Sequence, residues 1–257
     1  MAESRKLWTE PFRLHMAPLW PCPSCLEGRL VLVKDTMRQA EEAASREARQ
    51  HFAWDPDWVA GVFTCHLRCN NPRCKEWVVC CGRYRNVEDS NEAGEPCYPS
   101  EFRPTYFQPA PPVFSMPNDC LEEIGEAVRA AFAVAWSDPF SAANRIRTSL
   151  ERILDSAKIP RSTRKNGRQS RHSLHARIEM LGRKLNDKEL HSMMMAVKWL
   201  SNAGSHGADL SVDALFDGFD LLEHVLRRQY DRSEAELLRK SKAINRRKGP
   251  VKRSSGQ

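Results

Sequence analysis

The stretch DPFSAANRIRTSLERILDSA, residues 138–157, is the most regular segment of the chain and indicates an amphipathic α-helix. Asp138 suits the N-cap, and Pro139 suits the first helical position, where the missing N–H has no intrahelical partner anyway. Apolar side chains recur after it at spacings of three and four residues, which places them on one face. That face carries Phe140, Ala143, Ile146, Leu150, Ile153, Leu154 and Ala157. A helix with such a face has to pack against other elements, so the stretch predicts a helical core.

Four more helices are predicted around it. The first begins at Asn118-Asp119, with Glu122 completing a capping box, and runs to about Ser137. The third and fourth show the same apolar spacing after residue 173 and after the N-cap Asp187, and the fifth starts after Ser211. The composition of residues 161–171 predicts a basic loop between the second and third helices. Short connections between such helices predict an antiparallel five-helix bundle over residues 105–231.

The first hundred residues have a different composition. Eight of the nine cysteines lie between Cys22 and Cys97, and the proline-rich segment 108–119 follows as an extended connector. Residues 29–33 and 77–79 predict short strands, and residues 36–51, rich in Ala, Glu, Arg and Gln, predict an inserted helix. We therefore expect a small cysteine-rich unit with a helical insertion at 1–104, the bundle at 105–231 and a partly disordered tail at 232–257. The predicted fold class is mainly α.

Composition narrows the functional class. The chain has 257 residues, of which 41% are hydrophobic and 28% charged, and no stretch approaches the roughly 18 apolar residues of a membrane helix. The N-terminus lacks the continuous apolar core of a secretory signal, so we expect a cytoplasmic protein. In a reducing compartment, closely spaced cysteines are metal ligands more often than disulfides.

Two cysteine pairs have the spacing of metal-binding turns. The first is Cys22-Pro-Ser-Cys25 and the second is Cys69-Asn-Asn-Pro-Arg-Cys74. Four thiolates satisfy a tetrahedral ion and leave no open position, which predicts a structural zinc site and makes the unit at 1–104 a zinc ribbon. Cys65, Cys80 and Cys81 are close enough in sequence to replace one of these ligands. We prefer Cys69 and Cys74, because Asn-Asn-Pro forms a turn, whereas Cys80 and Cys81 lie in a strand-like run where they point to opposite faces.

The formal charge of +7 is unevenly distributed. Nine Lys or Arg and two Glu lie within residues 232–257, so this segment carries the whole excess and the remainder is neutral. Runs of this kind contact nucleic-acid phosphates without sequence choice, and they also occur as solvated termini. The candidate RNA- or DNA-binding residues are Lys240, Lys242, Arg246, Arg247, Lys248, Lys252 and Arg253.

Four stretches of the second half resemble a known family. They are FQPAPP at 107–112, SAANRIR at 141–147 with LERIL at 150–154, LHARI at 174–178 and SNAGSHG at 201–207. In this order they resemble the domain of unknown function 4145, over about residues 105–231. The resemblance implies the HEPN-like helical superfamily, whose bundles pair into homodimers and occur in restriction and phage-defence proteins. The CPxC turn is similar to the zinc ribbon often attached to such domains.

The same resemblance implies which residues would be catalytic. Active HEPN domains are metal-independent ribonucleases that use an Arg, a polar residue and then a His at the dimer cleft. Asn202 and His206 fit the polar and histidine positions, and Arg147 and Glu151 are the other polar pair retained. The position expected for Arg is Ser201, and the nearest cation is Lys198.

Phosphoryl transfer needs a cation near the phosphate, and the position expected for that cation is occupied by Ser201. We therefore favour a degenerate HEPN-like domain in a nucleic-acid-associated interaction or regulatory module. The alternatives are a metal-independent endoribonuclease or toxin that uses His206, and a protein-binding scaffold.

Overall fold

A computed structural model describes residues 2–165, 168–203 and 210–250. Its first half is built on a four-stranded antiparallel sheet in the order β1-β2-β3-β6. These strands are β1 (Leu30–Glu41), β2 (Ala60–Cys69), β3 (Trp77–Asn86) and β6 (Ser100–Gln108). A two-stranded ribbon, β4 (Asp89–Ser90) with β5 (Pro96–Cys97), lies between β3 and β6 in sequence. The chain begins with α1 (Ala2–Thr9), and α2 (Ala43–Ala48) and two short 3₁₀ turns complete this half.

The described residues of the second half form six helices. They are α3 (Glu122–Val134), α4 (Pro139–Ser156), α5 (Leu174–Leu185), α6 (Lys188–Ala203), α7 (Val212–Tyr230) and α8 (Ser233–Arg247). Helix α4 packs on α3, α6 and α7, and α5 packs on α6 and α4, so α3 to α7 form a packed helical core. The predicted caps are found where Asp138, Asp187 and Ser211 accept hydrogen bonds from the backbone N–H groups of Ser141, Leu190 and Ala214.

The prediction of a mainly α fold is wrong. Helix makes up 45% and strand 24% of the structure, which is a mixed α/β composition. The largest error is residues 36–51, predicted as a helix, because β1 continues to Glu41 and only Ala43–Ala48 is helical. Hydrogen bonding of β1 to β2, with Arg38 opposite Thr64 and Glu41 opposite Gly61, outweighs the helix propensity of this segment.

Two smaller predictions also differ from the structure. The capping box at Asp119 is not formed, since α3 begins at Glu122 after Leu121, which provides no side-chain cap. The basic connection 161–171 contains a hairpin, β7 (Ser162–Lys165) with β8 (Arg168–Arg171). Within the segment predicted as a partly disordered tail, α8 extends to Arg247, because its Leu, Arg, Lys and Ala residues are good helix formers.

The sheet unit and the helical unit share a continuous apolar core. Trp136 after α3 contacts Phe107 of β6, with ring centroids 4.9 Å apart, and Trp8 of α1 at 5.7 Å. Trp8 also stacks on Phe216 of α7. The indole N–H of Trp136 donates to the Trp8 carbonyl. Helix α1 therefore contacts both units. Its Arg5 also forms ion pairs with Asp217 and Asp220 of α7. No helix in the described part of the chain is long and apolar enough to cross a membrane.

Candidate metal centre and polar helix cluster

The four predicted cysteines converge at one end of the sheet. Cys22 and Cys25 lie in the turn before β1, Cys69 ends β2 and Cys74 precedes β3. The sulfur atoms of Cys22 and Cys74 are 3.7 Å apart, as are those of Cys25 and Cys69, and all four lie within 4.8 Å of one another. A disulfide would bring two sulfurs to about 2.05 Å. The arrangement is therefore a four-thiol group able to hold a metal ion.

The two turns that present the sulfurs have related backbone geometry. The residue after the second cysteine of each pair, Leu26 and Lys75, adopts the left-handed conformation with φ of 60° and 55°. Backbone N–H groups in both turns point at the sulfurs. The N–H of Gly28 donates to the Cys25 sulfur at 3.3 Å, and the N–H of Asn71 donates to the Cys69 sulfur at 3.4 Å. Such hydrogen bonds favour thiolate, the form that binds metals.

Gly28 is required by the packing of the centre. A Cβ on this residue would stand 2.3 Å from the Cys69 sulfur and 2.9 Å from Cβ of Asn71. The two turns therefore interlock, and only a glycine allows the close approach.

The pKa values of the four thiols show that a bound cation would offset the cost of burying thiolates. Hydrogen bonding by the Gly28 N–H lowers the pKa of Cys25 to about 6, whereas burial raises the pKa of Cys69 to about 12. Desolvation thus opposes collecting four thiolates, and a divalent cation supplies the compensating charge.

The rival cysteines lie elsewhere. Cys65 and Cys80 face each other across β2 and β3 and point into the core of the sheet unit, where both are buried. Cys81 points to the opposite face of β3. Among the described residues, the metal-binding group consists of Cys22, Cys25, Cys69 and Cys74 alone.

Three residues of the predicted catalytic set meet between α4 and α6. A guanidinium N–H of Arg147 donates to Oδ1 of Asn202, and Nε of Arg147 lies 3.7 Å from a carboxylate oxygen of Glu151. We call Arg147, Glu151 and Asn202 the polar helix cluster. The fourth residue, His206, lies outside the described residues.

Lys198, the cation nearest to Ser201 in sequence, is buried and sits beside this cluster. Its ammonium group lies 3.2 Å from the centroid of the Trp199 ring, a cation–π contact. Burial lowers the pKa of Lys198, and the positive charge of Arg147 lowers it further. Ser201 is also buried and donates to the Lys198 carbonyl. Arg147 therefore supplies a cation at Asn202 from another helix, a contact that sequence spacing does not reveal.

The predicted nucleic-acid residues divide between described and undescribed segments. Lys240, Lys242, Arg246 and Arg247 are exposed on α8, and Lys248 follows it in the left-handed C-cap position. Lys252 and Arg253 lie outside the described residues.

Comparison with known families covers both halves of the chain. Residues 129–247 match the domain of unknown function DUF4145. The resemblance predicted from the sequence is confirmed at that level, and the DUF4145 match reaches through α8 to Arg247. Residues 10–107 match a second domain of unknown function, DUF8608, which spans the sheet unit. No curated protein and no solved structure matches the chain.

Proposed function

We propose that the protein is a zinc-stabilised, nucleic-acid-associated interaction or regulatory module whose DUF4145 segment is a degenerate HEPN-like bundle. The observation that carries the nucleic-acid part is the placement of the excess positive charge. Lys240, Lys242, Arg246 and Arg247 are exposed on α8, beyond the packed core. A projecting cationic helix can follow a phosphate backbone without rearranging the fold.

The proposal of zinc rests on the sulfur spacing. Four sulfurs about 2.3 Å from a tetrahedral ion are about 3.8 Å apart, which agrees with the two separations of 3.7 Å. The thiol-only ligand set suits zinc, and four protein ligands leave no position for substrate. The role proposed for the ion is therefore to join the turn before β1 to the β2–β3 connection.

The nucleic-acid proposal is tested with a full-length variant in which Lys240, Lys242, Arg246 and Arg247 are replaced by Gln, which preserves helix propensity. Each lost phosphate contact lowers the slope of log affinity against log salt by about 0.9 on duplex DNA. We expect weaker duplex binding and a flatter salt dependence in a gel-shift titration. Unchanged affinity at low salt would reject the role of α8.

The alternative function, metal-independent endoribonuclease, is favoured by one contact. Arg147 places a guanidinium on Asn202, which supplies the cation that Ser201 lacks. The hypothesis of a degenerate HEPN-like bundle predicts no cleavage of mixed RNAs in the presence of EDTA. Cleavage that disappears in His206→Ala and Arg147→Ala variants would establish the enzyme instead. Homodimerisation, which the HEPN-like proposal carries with it, is measured by sedimentation of the wild-type chain.

A further inference from the structure

One face of the four-stranded sheet is covered by the core, and the other carries an unusual set of exposed side chains. Burial alternates along β2 and β3, with Phe63, Leu67 and Val78 inward. The side chains on the other side of the strands form what we call the outer sheet face. Its members are Val31, Val33, Arg38, Ala40, Val62, Thr64, His66, Arg68, Trp77, Val79, Cys81, Arg83, Arg85, Glu101, Arg103, Tyr106 and Gln108.

Aromatic rings are exposed on this face. Trp77 and Tyr106 are 47% and 43% exposed. The His66 ring meets Trp77 edge-on with centroids 6.1 Å apart, and the guanidinium of Arg68 lies 5.1 Å from the Trp77 centroid. Trp77 is thus held in place by its neighbours on β2 while much of its surface stays open to solvent. A ring ordered in this way loses little conformational entropy when a flat ligand stacks on it.

The charge on the outer sheet face is predominantly positive. Arg83 and Arg103 stand directly opposite each other on β3 and β6, and Arg85 follows on the same face. Like charges directly opposite across strands are destabilising, so this pairing favours an anionic ligand. Glu42 pairs with Arg83, and Glu101, opposite Arg85, lies 3.6 Å from Arg13. Arg68 and Arg103 form no ion pair within the described part of the chain.

The distance between Trp77 and the arginine pair Arg83 and Arg103 sets the length of ligand that can contact both. Trp77 and Arg83 are six residues apart on one strand, which corresponds to roughly 20 Å at about 3.4 Å per residue. Two exposed rings toward one end of this length and three arginines toward the other match a chain of bases and phosphates.

We propose that the outer sheet face binds single-stranded nucleic acid, with bases stacking on Trp77 and Tyr106 and phosphates contacting Arg83, Arg85 and Arg103. Stacking on these rings requires unpaired bases, and a duplex keeps its base faces covered. The inference deepens the proposed function and rests on it, but it uses a surface on the opposite half of the chain from α8. The two sites can therefore be tested separately.

The experiment measures fluorescence anisotropy of a labelled oligothymidine of about 12 nucleotides, a length within the range bound by single-strand domains. A duplex of the same length is the comparison, and both titrations use about 0.15 M salt. Full-length wild type is compared with Trp77→Ala, Tyr106→Ala and Arg103→Gln. Phe52→Ala and Arg145→Gln are the matched controls, since Phe52 is 96% exposed in the β1–β2 connection and Arg145 is exposed on α4.

Wild type is expected to prefer the single strand to the duplex. Loss of one stacking ring is expected to weaken single-strand binding by about 10-fold. Arg103→Gln is expected to flatten the salt dependence by about 0.7 in the log–log slope. Neither control should change the affinity. Circular dichroism and the unfolding midpoint verify folding, and Arg103→Gln, an exposed substitution, keeps the test valid should an aromatic variant unfold.

Two results would overturn the inference and separate it from the proposed function. Wild-type single-strand affinity in the double variant Trp77→Ala/Tyr106→Ala and in Arg103→Gln would reject the outer sheet face while duplex binding through α8 still stands. Such a result would point to a protein as the occupant of this face. Absence of binding to either oligonucleotide by wild type would reject both proposals together.

Discussion

Replacing Gly28 by Ala tests whether the interlocked turns set the affinity of the metal centre. The added Cβ would lie 2.3 Å from the Cys69 sulfur, and ordinary contact begins at 3.4 Å, so one turn has to move by about 1 Å. Overpacking of this size costs about 1–3 kcal/mol. The same movement displaces the Gly28 N–H from the Cys25 sulfur, and loss of such an outer contact lowers metal affinity about 10- to 100-fold.

The assay is competition for zinc against a chromogenic chelator, combined with thermal unfolding before and after metal removal. Gly218→Ala is the matched control, because its Cβ would meet Ile146 and Leu200 at 3.7 and 3.9 Å, which is ordinary contact. We expect Gly218→Ala to retain full metal affinity. Wild-type affinity and an unchanged unfolding midpoint in Gly28→Ala would refute the argument that the two turns interlock through this glycine.

Three further substitutions probe other features. Lys75→Gly relieves the left-handed backbone at the second turn and should stabilise the metal-loaded protein by about 1 kcal/mol in denaturant titration; a lower stability would contradict this. Asp155→Asn removes the partner of Arg177, a 5% exposed side chain, and should cost about 1–3 kcal/mol at neutral pH. Arg161, and then Arg177, hold the pKa of Asp155 below its usual range, so the stability that the Asp155 carboxylate contributes is present above about pH 4 and is lost as the pH falls. The difference in unfolding free energy between wild type and Asp155→Asn should therefore shrink in acid, and a difference that stays constant with pH would contradict this. Ser211→Ala removes the N-cap of α7 and should lower the free energy of unfolding by about 1 kcal/mol.

Local signals identified the helices α3 to α7 and the four-cysteine group because the information lies within a few residues. Asp138-Pro139 starts α4 through a cap and a fixed φ angle, both set by neighbouring residues. The spacing within each cysteine pair is likewise typical of a metal-binding turn. What spacing could not decide was which distant pair joins Cys22 and Cys25, and the turn chemistry of Asn-Asn-Pro pointed to Cys69 and Cys74.

Long-range pairing explains the errors. The second part of β1 has helix-favouring composition, yet it forms a strand because residues 38–41 pair in register with residues 61–64 of β2. The contact between Arg147 and Asn202 depends on how α4 crosses α6, which the spacing within either helix does not fix. The outer sheet face was predictable in part, since residues 60–69 and 77–86 alternate between inward, mainly apolar residues and outward residues that are mostly polar or aromatic. Only the register places Trp77 beside Arg68 and Arg83 beside Arg103.

The central claim is that Cys22, Cys25, Cys69 and Cys74 hold one zinc ion. The most direct measurement is the metal content, by mass spectrometry, of protein purified without added metal, for wild type, Cys69→Ser and Cys65→Ser. The account predicts one zinc per wild-type chain, retained in Cys65→Ser and lost or strongly reduced in Cys69→Ser. A wild-type stoichiometry near zero, or a full zinc content in Cys69→Ser, would contradict it.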